Sequence, residues 1–198
     1  LNLIINPLQV VAAFLLALLV RRNTKANRAF RTIFLLPLGV SVAVASSVWG
    51  ILLDTNSGLV NSFLKFLSLK AQDFLLSPGQ ALWCIVLIAS WCGVSYWMTF
   101  FLAGLQEIPE TLYESADIDG AGTVRKLIRI TVPLMRRTFL FVIVADTSAN
   151  FLLFVPMFTL TKGGPMRSTN VLMHEIYTSA FVYSDVHRAL TLSTLLLI

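Results

Sequence analysis

Charge is what this sequence has least of. Asp, Glu, Lys and Arg make up 13% of its 198 residues, against about a quarter in an ordinary soluble domain. Cysteine and histidine are scarce as well, with two of each. Cys84 and Cys92 both sit inside an apolar run, where a thiol acts as a small hydrophobe; they make no disulfide framework and no metal pair. His174 and Glu175 are adjacent rather than at ligand spacing, and His187 is isolated, so no metal site is expected. The sequence also has no phosphate-binding glycine loop. Gly163-Gly164-Pro165 is not followed by the lysine and hydroxyl that such a loop needs. No nucleophile is spaced against a base. Internal repeats, heptads and low-complexity linkers are absent too. These gaps exclude an enzyme working alone and a nucleotide-binding domain.

Apolar length is abundant. Hydrophobic residues reach 57%, and the mean hydropathy is +0.79. Four runs are long enough to be read as membrane helices, 4–20, 33–53, 81–103 and 138–160, and a fifth, 188–198, is still apolar where the sequence stops and is read as a cut one. The fold class predicted is an all-α membrane protein. Pro37 is expected to kink the second run. Trp83, Tyr96 and Trp97 lie toward the ends of the third, where amphipathic rings suit the interface. A signal peptide over 4–20 is rejected because the charges come after the apolar run instead of preceding it. The sequence lacks an initiating Met and ends within ALTLSTLLLI, so it is expected to be a piece of a longer chain, incomplete at both ends.

The formal net charge is +5. A basic balance can serve nucleic acid, but here the cations flank apolar segments, which places them at a membrane surface; no nucleic-acid partner is expected. Arg21, Arg22, Lys25, Arg28 and Arg31 form one group. Arg125, Lys126, Arg129, Arg136 and Arg137 form another. The intervening loop 54–80 has only Lys65 and Lys70, and 161–187 has only Lys162 and Arg167. Alternation of rich and poor loops predicts that 21–31 and 107–133 face the cytoplasm. Within loop 54–80, LVNSFLKFLS has helical spacing and suits the outer surface.

The loop 107–133 is itself patterned. Pro109 suits a first helical turn. Glu110, Glu114 and Asp117 come near the helix start, Ile108, Leu112 and Ala116 make a small apolar stripe, and Asp119-Gly120 ends the helix. A second helix is predicted over about 122–130, broken by Pro133. Two readings fit this helix, glycine turn, helix pattern: an interfacial loop that shields headgroups, or an element that docks on a partner. In the fourth run, Asp146 and Asn150 share a helical face. A carboxylate there is costly and usually faces a bundle interior or an aqueous path. Asp146 and Asn150 are therefore candidate translocation-path residues, against the plainer reading of structural hydrogen bonding; Trp91, whose ring could stack on a sugar, is a third candidate, against ordinary aromatic packing.

The loop resembles the cytoplasmic signature of binding-protein-dependent ABC transporter permeases, written EAA, then glycine, then a hydrophobic residue and LP. Glu114-Ser115-Ala116, Gly120, Ile130, Val132 and Pro133 carry it, with serine for the second small residue and valine for leucine. Leu102 to Pro109 and Asp119-Gly120-Ala121 are similar to the sugar and glycerol-phosphate subgroup. So are Thr161-Lys162-Gly163-Gly164-Pro165, Ser168-Thr169-Asn170, Leu172, Ile176-Tyr177 and Ala180-Phe181. Lys162 stands where a third glycine is commoner, and His187-Arg188-Ala189 stands where Gly-Tyr-Ala is usual.

The resemblance implies the transmembrane domain of a type I ABC importer. It implies that Glu114, Ser115, Ala116, Asp119 and Gly120 form a coupling helix that docks on an ATP-hydrolysing subunit. The implied partners are a second permease subunit, two ATP-binding subunits, an extracytoplasmic solute-binding protein or lipoprotein, and membrane lipid. ATP and Mg would be held by the partner subunits, with no cofactor on this chain. The implied location is a bacterial or archaeal plasma (inner) membrane.

Overall fold

The computed structural model describes residues 1–21 and 24–197. Arg22 of the first basic group and Ile198 at the end of the last run lie outside the described residues. In chain order the helices are α1 (Asn2–Leu19), α2 (Lys25–Leu35), α3 (Val42–Leu52), α4 (Leu59–Phe66), α5 (Ala81–Gln106), α6 (Glu110–Ile118), α7 (Thr123–Lys126), α8 (Val132–Leu134), α9 (Arg136–Phe151), α10 (Leu172–Tyr177) and α11 (Val186–Leu197). No strand occurs among the described residues.

Two of these helices are long and apolar enough to cross a membrane, and a third span exists if the bent pair Lys25–Gly39 and Val42–Leu52 counts as one. At 18 residues α1 is about 27 Å long and matches a hydrocarbon core of about 30 Å, which α5 exceeds.

The run 33–53 is not one helix. Pro37 lacks an N–H and crowds the carbonyl four residues back. It sits in a tight turn at Leu36–Gly39, and Ser41 then caps α3 by accepting from the Val44 N–H at 3.3 Å. The run 138–160 is interrupted as well. α9 ends at Phe151, and the helix resumes around Pro156 into a widened turn at Met157–Thr161; proline is tolerated in such a first turn but not further in. Pro133 does not end its helix as the sequence suggests. A π turn over Leu127–Thr131 precedes it. Pro133 thus falls at the start of a new helical segment, where its missing N–H costs nothing.

The chain divides into two compact units. One comprises Asn6–Leu38 and Gly93–Ser148. Its core joins Val10, Ala13, Phe14 and Ala17 of α1 to Trp97, Met98, Phe101 and Leu105 of α5, with Met135 and Val142. The rings of Phe14, Phe101 and Phe139 meet in pairs, with centroids 4.8 to 5.5 Å apart. On α1 the opposite face, Leu8, Val11, Leu15 and Leu19, is exposed, a spacing of three and four that lays one apolar stripe toward lipid. Lipid is as apolar as leucine, so close packing rather than water exclusion holds such helices together. At Gly104 a methyl group would lie 2.7 Å from Thr138 Oγ1; the bare backbone is what lets α5 approach Thr138.

The other unit comprises Leu1–Ile5, Gly39–Cys92 and Ala149–Ile198. Its organiser in the 54–80 loop is Asn61, fully buried on α4. The Asn61 amide donates to the carbonyls of Thr55 at 3.1 Å and Gln72 at 2.9 Å, and its oxygen accepts from the Gln72 N–H at 2.9 Å. Leu59, Phe63 and Phe66 stay exposed on the same short helix. Trp49 and Trp91 meet edge to face at 6.0 Å. Cys84 and Cys92 are free thiols.

Candidate functional site

The loop 107–133 folds as a helical hairpin. α6 begins after Pro109, with Glu110 in its first turn, where acid complements the exposed N–H groups. Its end is closed by two reverse-turn bonds. The Ala121 N–H donates to the Ala116 carbonyl at 2.8 Å, and the Gly120 N–H to the Asp117 carbonyl at 3.1 Å. This is the Schellman arrangement, which requires a left-handed residue just past the helix. Gly120 supplies it with φ +69°.

One side of α6 is tied down. The Tyr113 hydroxyl lies 2.9 Å from the hydroxyl of Thr131, itself buried. The Arg21 guanidinium sits 4.0 Å above the Tyr113 ring, a cation–π contact. Lys126 on α7 pairs with Asp117 on α6, closing the hairpin. The Ser115 hydroxyl turns back to the Thr111 carbonyl at 2.9 Å, so at that position the helix presents only a small group. The free side shows Glu110, Glu114, Leu112 and Ile118, the last 88% exposed. Val124 and Ile128 are exposed on the next segment. The result is a short rigid helix with an acidic and apolar outer surface.

The basic group before it is only partly free. Arg31 donates from Nε to the Val20 carbonyl at 2.9 Å and from Nη2 to the Arg21 carbonyl at 2.8 Å. These contacts satisfy carbonyls left over at the end of α1. Arg21 and Arg31 thus fasten local structure in addition to carrying surface charge. Position in the sequence shows the charge, but not these partners.

Residues 9–198 match the family described as the binding-protein-dependent transport system inner membrane component. The chain belongs to this family. It is 34% identical over 190 residues to the sn-glycerol-3-phosphate transport system permease protein UgpA of Yersinia enterocolitica, a match that covers 96% of this chain and 64% of that protein. The corresponding UgpA of Pectobacterium atrosepticum is 34% identical over 193 residues, with the same coverage. The chain therefore spans just under two thirds of the length of these relatives. A crystal structure of a bacterial ABC transporter involved in the import of the acidic polysaccharide alginate matches with a TM-score of 0.74 at 22% identity, covering 99% of this chain and 74% of that one. The likeness establishes the all-α fold as one shared with an ABC importer.

Within that fold the three candidate path residues stand in different surroundings. Asp146 is 1% exposed and accepts from the Trp97 indole N–H at 2.6 Å. Asn150 is buried, and Trp91 is 40% exposed. The Trp97–Asp146 bond gives this buried carboxylate a fixed donor.

A second polar group forms near the Thr161–Pro165 stretch. Glu175 accepts from Arg167 Nη2 at 2.9 Å, and also from Arg188 Nη2 and the Asn170 amide. These donors, the Asn170 amide foremost, hold the Glu175 carboxyl below its ordinary value despite opposing burial. His174 contacts Asn170 Oδ1 at 2.9 Å. Burial pushes its imidazole below the usual value, against the pull of the neighbouring Glu175 charge. Lys162 and Arg188, two positions at which the sequence departs from the family pattern, are brought into one cleft here.

Proposed function

We propose that this chain is the membrane-spanning permease part of an ATP-driven importer and that α6 is its coupling helix. The observation that carries this is the α6 hairpin: closed by the Gly120 turn, pinned through Tyr113 and Lys126, and free along Glu110, Glu114 and Ile118. A helix held in this way transmits a push without collapsing, and its small residues allow a partner to approach closely. Family membership supports the same reading. Glu114, Ser115, Ala116, Asp119 and Gly120 would meet a separate ATP-hydrolysing subunit, one of two that hold ATP and Mg. A second permease subunit would complete the membrane pathway, and an extracytoplasmic binding protein or lipoprotein would deliver the solute. The chain itself would catalyse nothing. Loops 21–31 and 107–133 would lie on the cytoplasmic side of the inner membrane. The solute named for the UgpA relatives favours a sugar or glycerol-phosphate type of cargo. Asp146, Asn150 and Trp91 remain the residues proposed for the pathway, with Asp146 acting through its bond to Trp97.

The test is binding-protein-stimulated ATPase activity in the reconstituted full-length complex. Glu114→Ala and Gly120→Val should leave assembly intact and lower the stimulation at least about tenfold, the effect of about 1.4 kcal/mol. Normal stimulation and uptake in both variants would remove α6 from this role. A complex that purifies without an ATPase, yet moves solute, would point to a channel or a secondary transporter instead.

A further inference from the structure

The cleft beside α10 and α11 holds more positive charge than its own carboxylate uses. It is an open depression of about 550 Å³ lined by Lys162, Arg167, Asn170, His174, Glu175 and Arg188, among others. Such a volume lies within the usual range of small-ligand sites. Glu175 is the acid in its wall, and it engages each arginine through one Nη2 only. A guanidinium has five donors in a fixed fork, so both arginines keep donors for a ligand. Their side chains remain 73% and 51% exposed. Lys162 has no ion pair among the described residues. Its backbone has φ +49° at the end of the Met157–Thr161 turn, and it is among the residues lining the cleft. Three cations against one carboxylate leave two positive charges in excess. Counting Asp185, which accepts from the Arg188 N–H at the start of α11, the immediate surroundings are still positive.

We propose that this cleft binds a phosphate monoester, with Lys162 and the free edges of Arg167 and Arg188 on the phosphate oxygens. A monoester carries about −1.5 to −2 charge at neutral pH and presents three acceptor oxygens, which matches the excess charge and the donors present. Forked donors suit tetrahedral oxyanions better than a single ammonium does. Glu175 acts as the post that holds the two guanidiniums apart. The ligand is either a soluble phosphorylated solute or the headgroup of a phosphatidic acid. The inference rests on the importer reading for its purpose, since a soluble ligand here narrows the solute class to phosphorylated compounds. Its geometry is independent of that reading.

The experiment is calorimetric titration of the full-length permease in phosphatidylcholine nanodiscs, without the ATPase, using glycerol 3-phosphate and, separately, glycerol. Binding of the ester but not of glycerol is expected. Lys162→Gln should weaken it about tenfold or more, the scale of one charge-assisted hydrogen bond, while Lys65→Gln leaves it unchanged. Because Lys162 takes no part in the Glu175 ion pairs, its substitution leaves that network in place. Discs containing phosphatidic acid provide the second arm. If the ester does not bind but phosphatidic acid does, and Lys162→Gln abolishes that binding, the site stands and its ligand is the headgroup. If neither source binds, or if Lys162→Gln changes nothing, the proposal is overturned. ATP-driven uptake by the unaltered chain keeps the two readings apart: uptake with no binding of ester or headgroup removes this site and leaves the importer assignment untouched.

Discussion

At the scale of single residues, Tyr113 is the contact on which the hairpin hinges. It touches Thr131 through its hydroxyl and Arg21 through its ring, so the two contacts separate by substitution. Tyr113→Phe keeps the ring under Arg21 and removes only the hydroxyl. A hydrogen bond of this kind contributes about 1 kcal/mol net. Thr131→Val removes the same bond from the other side. If the contact is as seen, the two changes together should cost less than their sum by about that amount in a double-mutant cycle of denaturant unfolding on the full-length chain. Strict additivity would mean that the hydroxyls do not meet. Tyr113 stands just before the loop signature and carries no charge or break, so the sequence offered no reason to weigh it above its neighbours. Gly120 is the opposite case. The turn it makes was readable, because a left-handed residue after a helix favours glycine.

At the scale of elements, the Glu175 network gives the second unit a pH response. The Glu175 carboxyl is held below its ordinary value in the folded chain, so on acidification the unfolded chain takes up the proton first. Its contribution is present above the unfolded carboxylate value, about 4.3, and is lost as pH falls through the folded one. His174 is also lowered, so its contribution is present above about 6.5 and is lost as pH falls from there through the folded value. Both losses have the same sign. Thermal unfolding of the full-length chain should therefore shift downward in two stages on acidification. Glu175→Gln should flatten the lower stage while leaving the upper one visible; an unchanged lower slope would mean that Glu175 is not held in this way.

Elements also show where sequence reading succeeds. Apolar length, Pro109 and Asp119-Gly120 are enough to place helices α1, α5 and α6. The breaks at 36–39 and after Phe151 were less legible. Pro37 announces a kink, but whether a proline bends a helix or stops it depends on the residues after it, and here Ser41 offers a new cap. Pro133 looked like a stop because a π turn ahead of it leaves no local sequence mark. The cleft was legible only as two local oddities, Lys162 and Arg188, since positions so far apart in the chain become neighbours only through α10 and α11.

At the scale of the whole molecule, the proposed orientation rests on a small difference in charge. Five cations in 21–31 and five from 125 to 137 stand against two in 54–80 and two in 161–187, and positive loops are retained on the cytoplasmic side. On the folded loop Ile118, Val124 and Ile128 are exposed, apolar side chains for the proposed ATPase partner to cover. Cysteine labelling tests this in intact cells expressing the full-length permease, starting from a variant in which Cys84 and Cys92 are replaced by serine or alanine. A membrane-impermeant maleimide should react with Lys70→Cys from outside and should reach Ile118→Cys only after the membrane is opened. Labelling of Ile118→Cys in sealed cells would invert the topology and remove any ATPase partner from α6. If Ile118→Cys stays protected in opened membranes until the ATPase subunit is stripped away, the patch is covered by that subunit and the coupling assignment gains a direct contact.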